Sequence, residues 1–275
     1  MLKKLLQYDF LSLKRFLIPL FLLTPAVSLA VGLVGFAAAK VNNQLIAISL
    51  QTLYVFGMIA LFLSVALLPV LLIVSYYTGL FGDAGYLTLL LPVSRRTMLL
   101  SKVLSALLLM LGYLVVAFFS IGFAFGAPST EALGHGPFYA YSVTFSFVRS
   151  LCSSVPGGFS AWIVVEFIFY LLFLLTFMFN LFYTGVTLGS AIFQGKAKIG
   201  GAILFCIVAY VIWSMIKTLI EAIPGMIIIT TSPDALVSPV TFQIFLCAEM
   251  ALYAGFAVGL FFFNARMIDR KLNLT

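Results

Sequence analysis

The chain alternates between long apolar stretches and shorter, more polar connections. Six stretches approach or exceed the roughly 20 residues that a helix needs to cross a bilayer. They cover residues 16–38, 52–76, 101–125, 160–185, 199–222 and 242–264. The apolar runs are continuous, whereas barrel strands alternate in polarity and need only about half that length. The pattern predicts an all-α integral membrane protein with six transmembrane helices, forming a single domain over residues 1–275.

Composition excludes the soluble and disordered classes. Of 275 residues, 64% are hydrophobic and 8% are charged, whereas an ordinary soluble domain is about a quarter charged. The 29 Phe and 12 Tyr residues are the opposite of a disordered composition. The bilayer is therefore the solvent in which any function has to be sought.

The basic residues set the predicted orientation. With six spans, 12 of the 15 Lys and Arg residues fall on one side, and only Lys40, Arg149 and Lys217 lie on or toward the other. This asymmetry indicates a multi-pass protein with both termini in the cytoplasm. Two short spans between Lys40 and Asp83 would reverse every later orientation, and the charge distribution disfavours them. The net charge of +7 is thus explained by topology, without a nucleic acid partner.

The N-terminal segment combines basic and apolar residues. Residues 1–15 are predicted to form an amphipathic interfacial helix, since leucines recur at helical spacing while the basic residues occupy other faces. A basic topology anchor explains the same residues, and both interpretations can hold together. Residues 37–39 resemble a signal-peptidase site, but the apolar run 16–36 is longer than a usual signal core of about 7–15 residues. We therefore expect a retained first span.

Three segments that connect the predicted spans have distinctive sequences. The cytoplasmic loop 79–100 is broken by Gly79, Gly82 and Gly85, and Ser94 is suited to cap the helix that follows. Its apolar residues need a cover, either lipid headgroups or a groove on another protein. The outer loop 126–159 contains the only histidine, His135. The outer segment 223–241 is cut by prolines and is predicted to be re-entrant.

The sequence contains no recognisable catalytic, metal-binding or cofactor-binding motif. One histidine cannot supply a metal cluster, and the three cysteines show no zinc-type spacing. Residues 157–160 do not make a convincing nucleophile elbow. Residues 189–197 resemble a phosphate loop but have five residues between the glycines instead of four, and Ala197 replaces the Ser or Thr. We therefore expect no enzyme activity in this chain by itself.

Ionisable residues within the spans are the candidates for a substrate path. Lys217 and Glu221 are four residues apart and can pair on one helix face, or they can simply extend toward the outer surface. Glu166 and Glu249 are predicted to lie deeper, where they can line a polar outer cavity.

Two polar residues of the fourth span are further candidates. Asn180 can contribute to the path, or Asn180 and Thr184 can bind a neighbouring helix.

The loop between the second and third spans resembles the cytoplasmic loop of bacterial ATP-binding-cassette (ABC) type-2 permeases. The resemblance rests on an acidic-Gly-Tyr-Leu stretch, a following Leu-Pro-Val-Ser-Arg stretch and a later lysine. These residues are Asp83, Gly85, Tyr86, Leu87, Leu89, Leu91, Pro92, Val93, Ser94, Arg95 and Lys102. The order of amphipathic helix, six spans, broken outer segment and basic tail is similar over the whole chain. A second acid, which relatives often carry beside Asp83, is absent here.

The resemblance implies a permease subunit that works as a homodimer or heterodimer with a second permease chain. Each permease docks on a cytosolic ABC ATPase subunit, which holds ATP and magnesium. The implied coupling contacts are Asp83, Gly85, Tyr86, Leu87, Leu91, Pro92, Ser94 and Arg95. The first and fifth spans commonly meet at the dimer interface of such permeases. The implied location is the bacterial cytoplasmic membrane.

The leading functional hypothesis is therefore the membrane subunit of an ATP-driven exporter. The very apolar, Phe-rich membrane domain favours a hydrophobic or amphipathic cargo, such as an antimicrobial peptide. The alternative is an ion- or proton-coupled secondary transporter that uses Glu166 and Glu249, although no convincing internal repeat supports it. A membrane anchor or scaffold comes third. An intramembrane enzyme comes last because the chemistry is missing.

Overall fold

The described part of the chain forms six long helices. The computed structural model describes residues 2–82, 94–132, 141–146, 160–193, 197–231 and 239–272. The helices are α1 (Leu2–Lys40), α2 (Gln44–Phe81), α3 (Arg95–Ala132), α4 (Ser160–Ile192), α5 (Ala197–Thr231) and α6 (Pro239–Leu272). A short helical segment at 141–146 follows α3. Within these ranges the backbone is almost wholly helical and contains no strand, as the continuous apolar runs predict.

All six helices are long and apolar enough to cross a membrane. Each predicted span falls inside one helix, so the prediction of six spans in an all-α chain is confirmed. The helices contain 33 to 39 residues. At about 1.5 Å per residue they exceed the roughly 30 Å of hydrocarbon in a bilayer. Each helix therefore either tilts or extends beyond the hydrocarbon at one or both ends. By these properties the chain is a multi-pass membrane protein.

No break separates the N-terminal segment from the first span. Helix α1 runs without interruption from Leu2 to Lys40, with Pro19 and Pro25 inside it. Spanning helices tolerate prolines because neighbouring groups satisfy the backbone carbonyls that proline leaves without donors. The predicted interfacial helix 1–15 is thus, where described, the first part of one long helix. Its position along the membrane surface stays a prediction.

The connection between α2 and α3 is shorter than predicted on its α2 side. Helix α2 continues through Gly79 and ends at Phe81, so the prediction that Gly79 breaks the helix is wrong. A glycine costs a helix only about 1 kcal/mol, which the surrounding helical hydrogen bonds outweigh. The Gly82 N–H donates to the Tyr77 carbonyl at 3.2 Å and closes the last turn. Gly85 lies outside the described residues.

Ser94 caps α3, as the sequence predicts. Its Oγ accepts a hydrogen bond from the Thr97 backbone N–H at 3.3 Å, and its carbonyl accepts one from the Met98 N–H at 3.1 Å. This is the geometry of an N-cap residue. The chain therefore enters α3 at a fixed point immediately after the connecting loop.

The two predicted outer segments are described in part. Helix α3 continues to Ala132, and His135 lies outside the described residues. Helix α5 continues through Pro224 to Thr231, and α6 begins at Pro239. Residues 232–238 lie outside the described ranges, so the re-entrant path of 223–241 stays a prediction.

The chain divides into two compact units. One comprises residues 7–72 and 108–150, and the other comprises residues 1–6, 73–107 and 151–275. We call the first the α1–α3 unit and the second the α4–α6 unit. The second unit also contains the last turns of α2 and the first turns of α3.

Buried hydroxyl groups connect the three helices of the α1–α3 unit. The Thr24 hydroxyl lies 2.6 Å from the Tyr113 hydroxyl, and Tyr113 donates to the Ser64 carbonyl at 3.0 Å. Thr24 and Tyr113 are fully buried. An apolar cluster that includes Val31, Leu61 and Ala124 packs beside them. Side-chain hydrogen bonds between helices are the means by which polar residues stabilise packing in an apolar solvent.

Small residues bring α4 and α5 together in the α4–α6 unit. A Cβ placed on Gly189 would lie 2.5 Å from the Ala202 Cα and backbone N, and one on Gly185 would lie 3.0 Å from the Cys206 Cα. Gly185 and Gly189 form a Gly-x-x-x-Gly pattern, which permits close backbone contact between membrane helices. The Cys206 thiol also donates to the Phe182 carbonyl across this contact at 3.4 Å. The close approach of α4 and α5 therefore depends on glycine, which has no side chain, at positions 185 and 189.

A chain of buried hydrogen bonds links α2, α4 and α6 in the same unit. The Asn264 amide donates to the Tyr76 hydroxyl at 3.2 Å, Tyr76 lies 3.0 Å from the Thr187 hydroxyl, and Thr187 donates to the Tyr183 carbonyl at 2.8 Å. The rings of Tyr76 and Tyr183 stack with centroids 3.9 Å apart. The Tyr76 hydroxyl is the central member, since it contacts both other helices.

We expect Tyr76→Phe to lower the free energy of unfolding by about 1 kcal/mol, because it leaves two buried polar side chains without their shared partner. Circular dichroism during an SDS titration of the detergent-solubilised protein measures the change. Tyr210→Phe is the matched control, since Tyr210 is exposed on α5. Equal effects of the two substitutions would contradict the assigned role of the Tyr76 hydroxyl.

Candidate functional site

A charged pair joins α5 to α6 inside the membrane-spanning region. Lys217 Nζ lies 3.7 Å from Glu249 Oε1. The two side chains differ in burial, because Lys217 is 37% exposed and Glu249 only 12% exposed. A single charge at mid-bilayer costs about 2.5–3.5 kcal/mol on insertion scales, so each charge here offsets part of the other's cost. We call this pair and the aromatic residues around it the α5–α6 site.

Aromatic rings surround the pair. Lys217 Nζ lies 5.8 Å from the centre of the Tyr253 ring, within the range of a cation–π contact. The Tyr253 ring lies 5.9 Å from the ring of Trp213 and 5.8 Å from that of Tyr170 on α4. The Tyr170 side chain also interacts electrostatically with the Glu249 carboxylate. The site therefore combines a carboxylate with several aromatic faces.

Helix periodicity explains how these side chains meet. Trp213 and Lys217 are four residues apart on α5, and Glu249 and Tyr253 are four residues apart on α6. Residues at this spacing lie on the same face of a helix. Each helix thus presents one aromatic and one charged residue to the other. The Phe177 ring of α4 packs on the Trp213 ring, with the two ring centroids 4.2 Å apart.

The structure brings together only part of the predicted substrate path. Lys217 pairs with Glu249 across two helices, and the side chain of its predicted partner Glu221 lies outside the described part of the chain. Glu166 is partly buried and precedes Tyr170 by four residues on α4, so the two share a helix face. Asn180 lies ten residues beyond Tyr170, about 15 Å along the helix axis.

Asn180 and Thr184 bond within α4. The Asn180 amide donates to the Thr176 carbonyl at 2.8 Å, and the Thr184 hydroxyl donates to the Asn180 carbonyl at 2.7 Å. The Asn180 side-chain oxygen is buried and has no hydrogen-bond partner among the described residues.

The sequence interpretation did not include the aromatic residues of the site. Trp213 and Tyr253 belong to a buried cluster of the α4–α6 unit, and the partly buried Tyr170 packs against it. The available signal was the pair of four-residue spacings, Trp213 to Lys217 and Glu249 to Tyr253. That signal becomes specific only when α5 and α6 are known to be neighbours.

Two cavities adjoin the site. The smaller, about 60 Å³, is lined by the charged pair and by residues that include Trp213, Phe245 and Tyr253. The larger is a groove of about 420 Å³ between α4, α5 and α6. Its lining is almost entirely apolar and includes Leu181, Val208 and Phe256, and Trp213 lines both cavities. Trp213 therefore lies between the Lys217–Glu249 pair and the apolar groove.

The charged and aromatic groups of this arrangement can bind a ligand. Within the ranges that the structure describes, no group of three or more His, Cys, Asp or Glu residues is placed to hold a metal ion. The charged groups of the α5–α6 site can bind and orient an ionic group. The groove can bury an apolar one.

The predicted coupling residues are described only at the end of their loop. Asp83, Gly85, Tyr86, Leu87, Leu91 and Pro92 lie outside the described residues. Ser94 and Arg95 begin α3 as described above. Lys102 Nζ lies 3.4 Å from the position that a Gly79 Cβ would occupy, so the last turns of α2 adjoin the first turns of α3.

Comparisons of this chain with protein-family models, curated proteins and solved structures found no match.

Proposed function

We propose that this chain is the membrane-spanning permease subunit of an ATP-driven ABC exporter. A separate cytosolic subunit hydrolyses ATP, and the cargo is a hydrophobic or amphipathic molecule, with peptides as the leading class. In this proposal the chain lies in a bacterial cytoplasmic membrane with both termini inside. It works with a second permease chain.

The observation that carries the proposal is the segment Asp83–Lys102 between two spanning helices. Its residues resemble the coupling loop of type-2 permeases, and the flanking structure suits that role. Ser94 fixes the start of α3, and Lys102 of α3 packs against Gly79 of α2. A force on the loop would therefore move the ends of α2 and α3 together. Such a displacement of packed helices is a usual means of coupling distant sites.

The α5–α6 site supports the cargo class. It offers a charged end next to an apolar groove of about 420 Å³, which suits a molecule with both kinds of surface. The described chain also lacks a cluster of metal-binding residues, and the sequence lacks a functional phosphate loop. The energy for transport therefore has to come from another subunit or from an ion gradient.

We expect Leu87→Arg to remove about nine-tenths of the ATP hydrolysis that co-purifies with the chain. An added charge in the apolar part of the loop disfavours its burial in a groove of the ATPase. The measurement is vanadate-sensitive ATP hydrolysis after affinity purification of the tagged chain from its native membrane. Val143→Arg is the matched control, because Val143 is exposed in the segment 141–146 at the other predicted face.

Two results would contradict the exporter proposal. One is hydrolysis of ATP by the purified chain alone, and the other is co-purifying hydrolysis that Leu87→Arg leaves unchanged. Transport that an ionophore abolishes and ATP depletion spares would instead favour the secondary transporter with Glu166 and Glu249.

A further inference from the structure

The two ends of the Lys217–Glu249 pair are held differently. Glu249 is only 12% exposed, and it interacts electrostatically with Tyr170. Lys217 is more exposed, and its distance of 3.7 Å from the carboxylate exceeds the roughly 2.7–2.9 Å of a direct charge-assisted hydrogen bond. The carboxylate is thus the more buried partner, and the lysine ammonium is the more exposed one.

The surroundings of the pair favour a cation over an anion. The faces of aromatic rings carry negative electrostatic potential and attract ammonium groups. Tyr253 and Trp213 present rings beside Glu249, and their centroids lie 5.9 Å apart. A carboxylate among aromatic faces is the combination that recognises ammonium ligands. An anion would have to compete with Glu249 for Lys217 and lie against these same faces.

An apolar groove lies beside the charged pair, and Trp213 lines both. Trp213 is only 6% exposed and lines both the small cavity at the pair and the groove of about 420 Å³. Its indole nitrogen has no hydrogen-bond partner among the described residues. A ligand with an ammonium group at Glu249 would therefore have its remaining part next to the groove. The groove lining between Leu181 and Phe256 matches an alkyl chain or an apolar side chain.

We propose that the α5–α6 site binds a cationic amphiphile. The ligand's ammonium displaces the Lys217 ammonium from Glu249 and Tyr253, and its apolar part occupies the groove between α4, α5 and α6. Lys217 is then a tethered competitor that neutralises Glu249 while the site is empty. As a statement about cargo this rests on the proposed exporter function, but the binding itself does not.

Trp213 provides a direct reporter of binding. The chain has two tryptophans, so Trp162→Phe leaves Trp213 as the sole emitter. The probes are dodecyltrimethylammonium, dodecanoate and dodecanol, added at low mole fraction to the protein in a nonionic detergent. We expect a saturable change in Trp213 emission for the ammonium probe, at a concentration at least fivefold lower than for either other probe. Equal responses to the three probes would overturn the proposal.

Substitutions of Lys217 test the competition. Lys217→Met removes the tethered cation, and we expect it to tighten binding of dodecyltrimethylammonium about tenfold. Lys217→Arg holds the carboxylate through a planar fork with two donors, and we expect it to weaken binding at least threefold. Glu249→Gln should remove the preference for the cationic probe.

The opposite directions of the two Lys217 variants keep the test decisive. Should Lys217→Met not yield folded protein, Lys217→Arg and Glu249→Gln still decide the outcome. Weaker binding of the ammonium probe by folded Lys217→Met, or unchanged binding by Lys217→Arg, would overturn the proposal. The measurement needs no ATPase subunit. Binding without ATP-dependent transport would therefore contradict the exporter function alone, and transport without cation-selective binding would contradict only this inference.

Discussion

Replacing Gly189 by alanine is expected to lower the free energy of unfolding by about 3 kcal/mol, at the upper end of the usual range for overpacked sites. The added Cβ would lie 2.5 Å from backbone atoms of Ala202 and Gly201. Backbone atoms cannot rotate away as a flexible side chain can. The helices α4 and α5 would have to separate, and they would lose contacts along their length, including the Cys206–Phe182 hydrogen bond.

The control for Gly189→Ala is a glycine in the same sequence pattern on another helix. Gly255 and Gly259 also form a Gly-x-x-x-Gly pattern on α6, but a Cβ at either position would meet no atom of the described residues within 4 Å. Gly255→Ala should therefore change stability by less than about 0.5 kcal/mol. Circular dichroism during SDS titration in mixed micelles measures both variants. Similar losses for the two would mean that the close contact between α4 and α5 is not the cause.

Lys217→Met is expected to cost about 2 kcal/mol of unfolding free energy. Breaking a fully buried ion pair costs about 3–5 kcal/mol, whereas an exposed pair contributes about 0.2–1 kcal/mol. Lys217 is 37% exposed and Glu249 is 12% exposed, so the value should fall between these ranges. The cost arises because Glu249 loses the charge that compensates it in a largely apolar site.

Removing both charges separates the pair from its packing. Lys217→Met combined with Glu249→Gln should recover at least half of the loss, because no unpaired charge remains. The same SDS titration gives the four free energies of this double-mutant cycle. Additive effects of the two substitutions would show that the residues do not interact. The ammonium probe should stabilise Lys217→Met more than the parent chain, since it supplies the missing cation.

The sequence was sufficient for the membrane-spanning architecture. A helix in lipid satisfies all its backbone hydrogen bonds internally, so the length of an apolar run is enough to place a span. Each predicted span lies within one described helix, and the Ser94 cap was predictable because a cap depends on a few neighbouring residues. The incorrect break at Gly79 shows the limit of such local rules. Glycine weakens a helix by less than the helix gains from continuing.

The candidate site was only partly predictable. The sequence identified Lys217 and Glu249 as intramembrane charges, but it offered Glu221 as a local partner for Lys217. Among the described side chains its partner is Glu249, which lies 32 positions further along the chain, while the pairing with Glu221 stays a prediction. Recognising a partner on another helix requires the three-dimensional arrangement of α5 and α6, which both pack on α4. The aromatic rings around the pair could likewise be assigned to the site only once the arrangement of the helices was known.

The two Gly-x-x-x-Gly patterns show what each level of structure decided. By itself the sequence determined the solvent, the six helices and the residues whose charge is costly in lipid, because these follow from local composition and length. It presented Gly185 with Gly189 and Gly255 with Gly259 as equivalent. Only the tertiary structure decided that the first pair contacts another helix, whereas the second contacts none in the described part of the chain. It likewise decided that Lys217, Glu249 and Trp213 form one site, because contacts between helices depend on how their faces pack together in three dimensions.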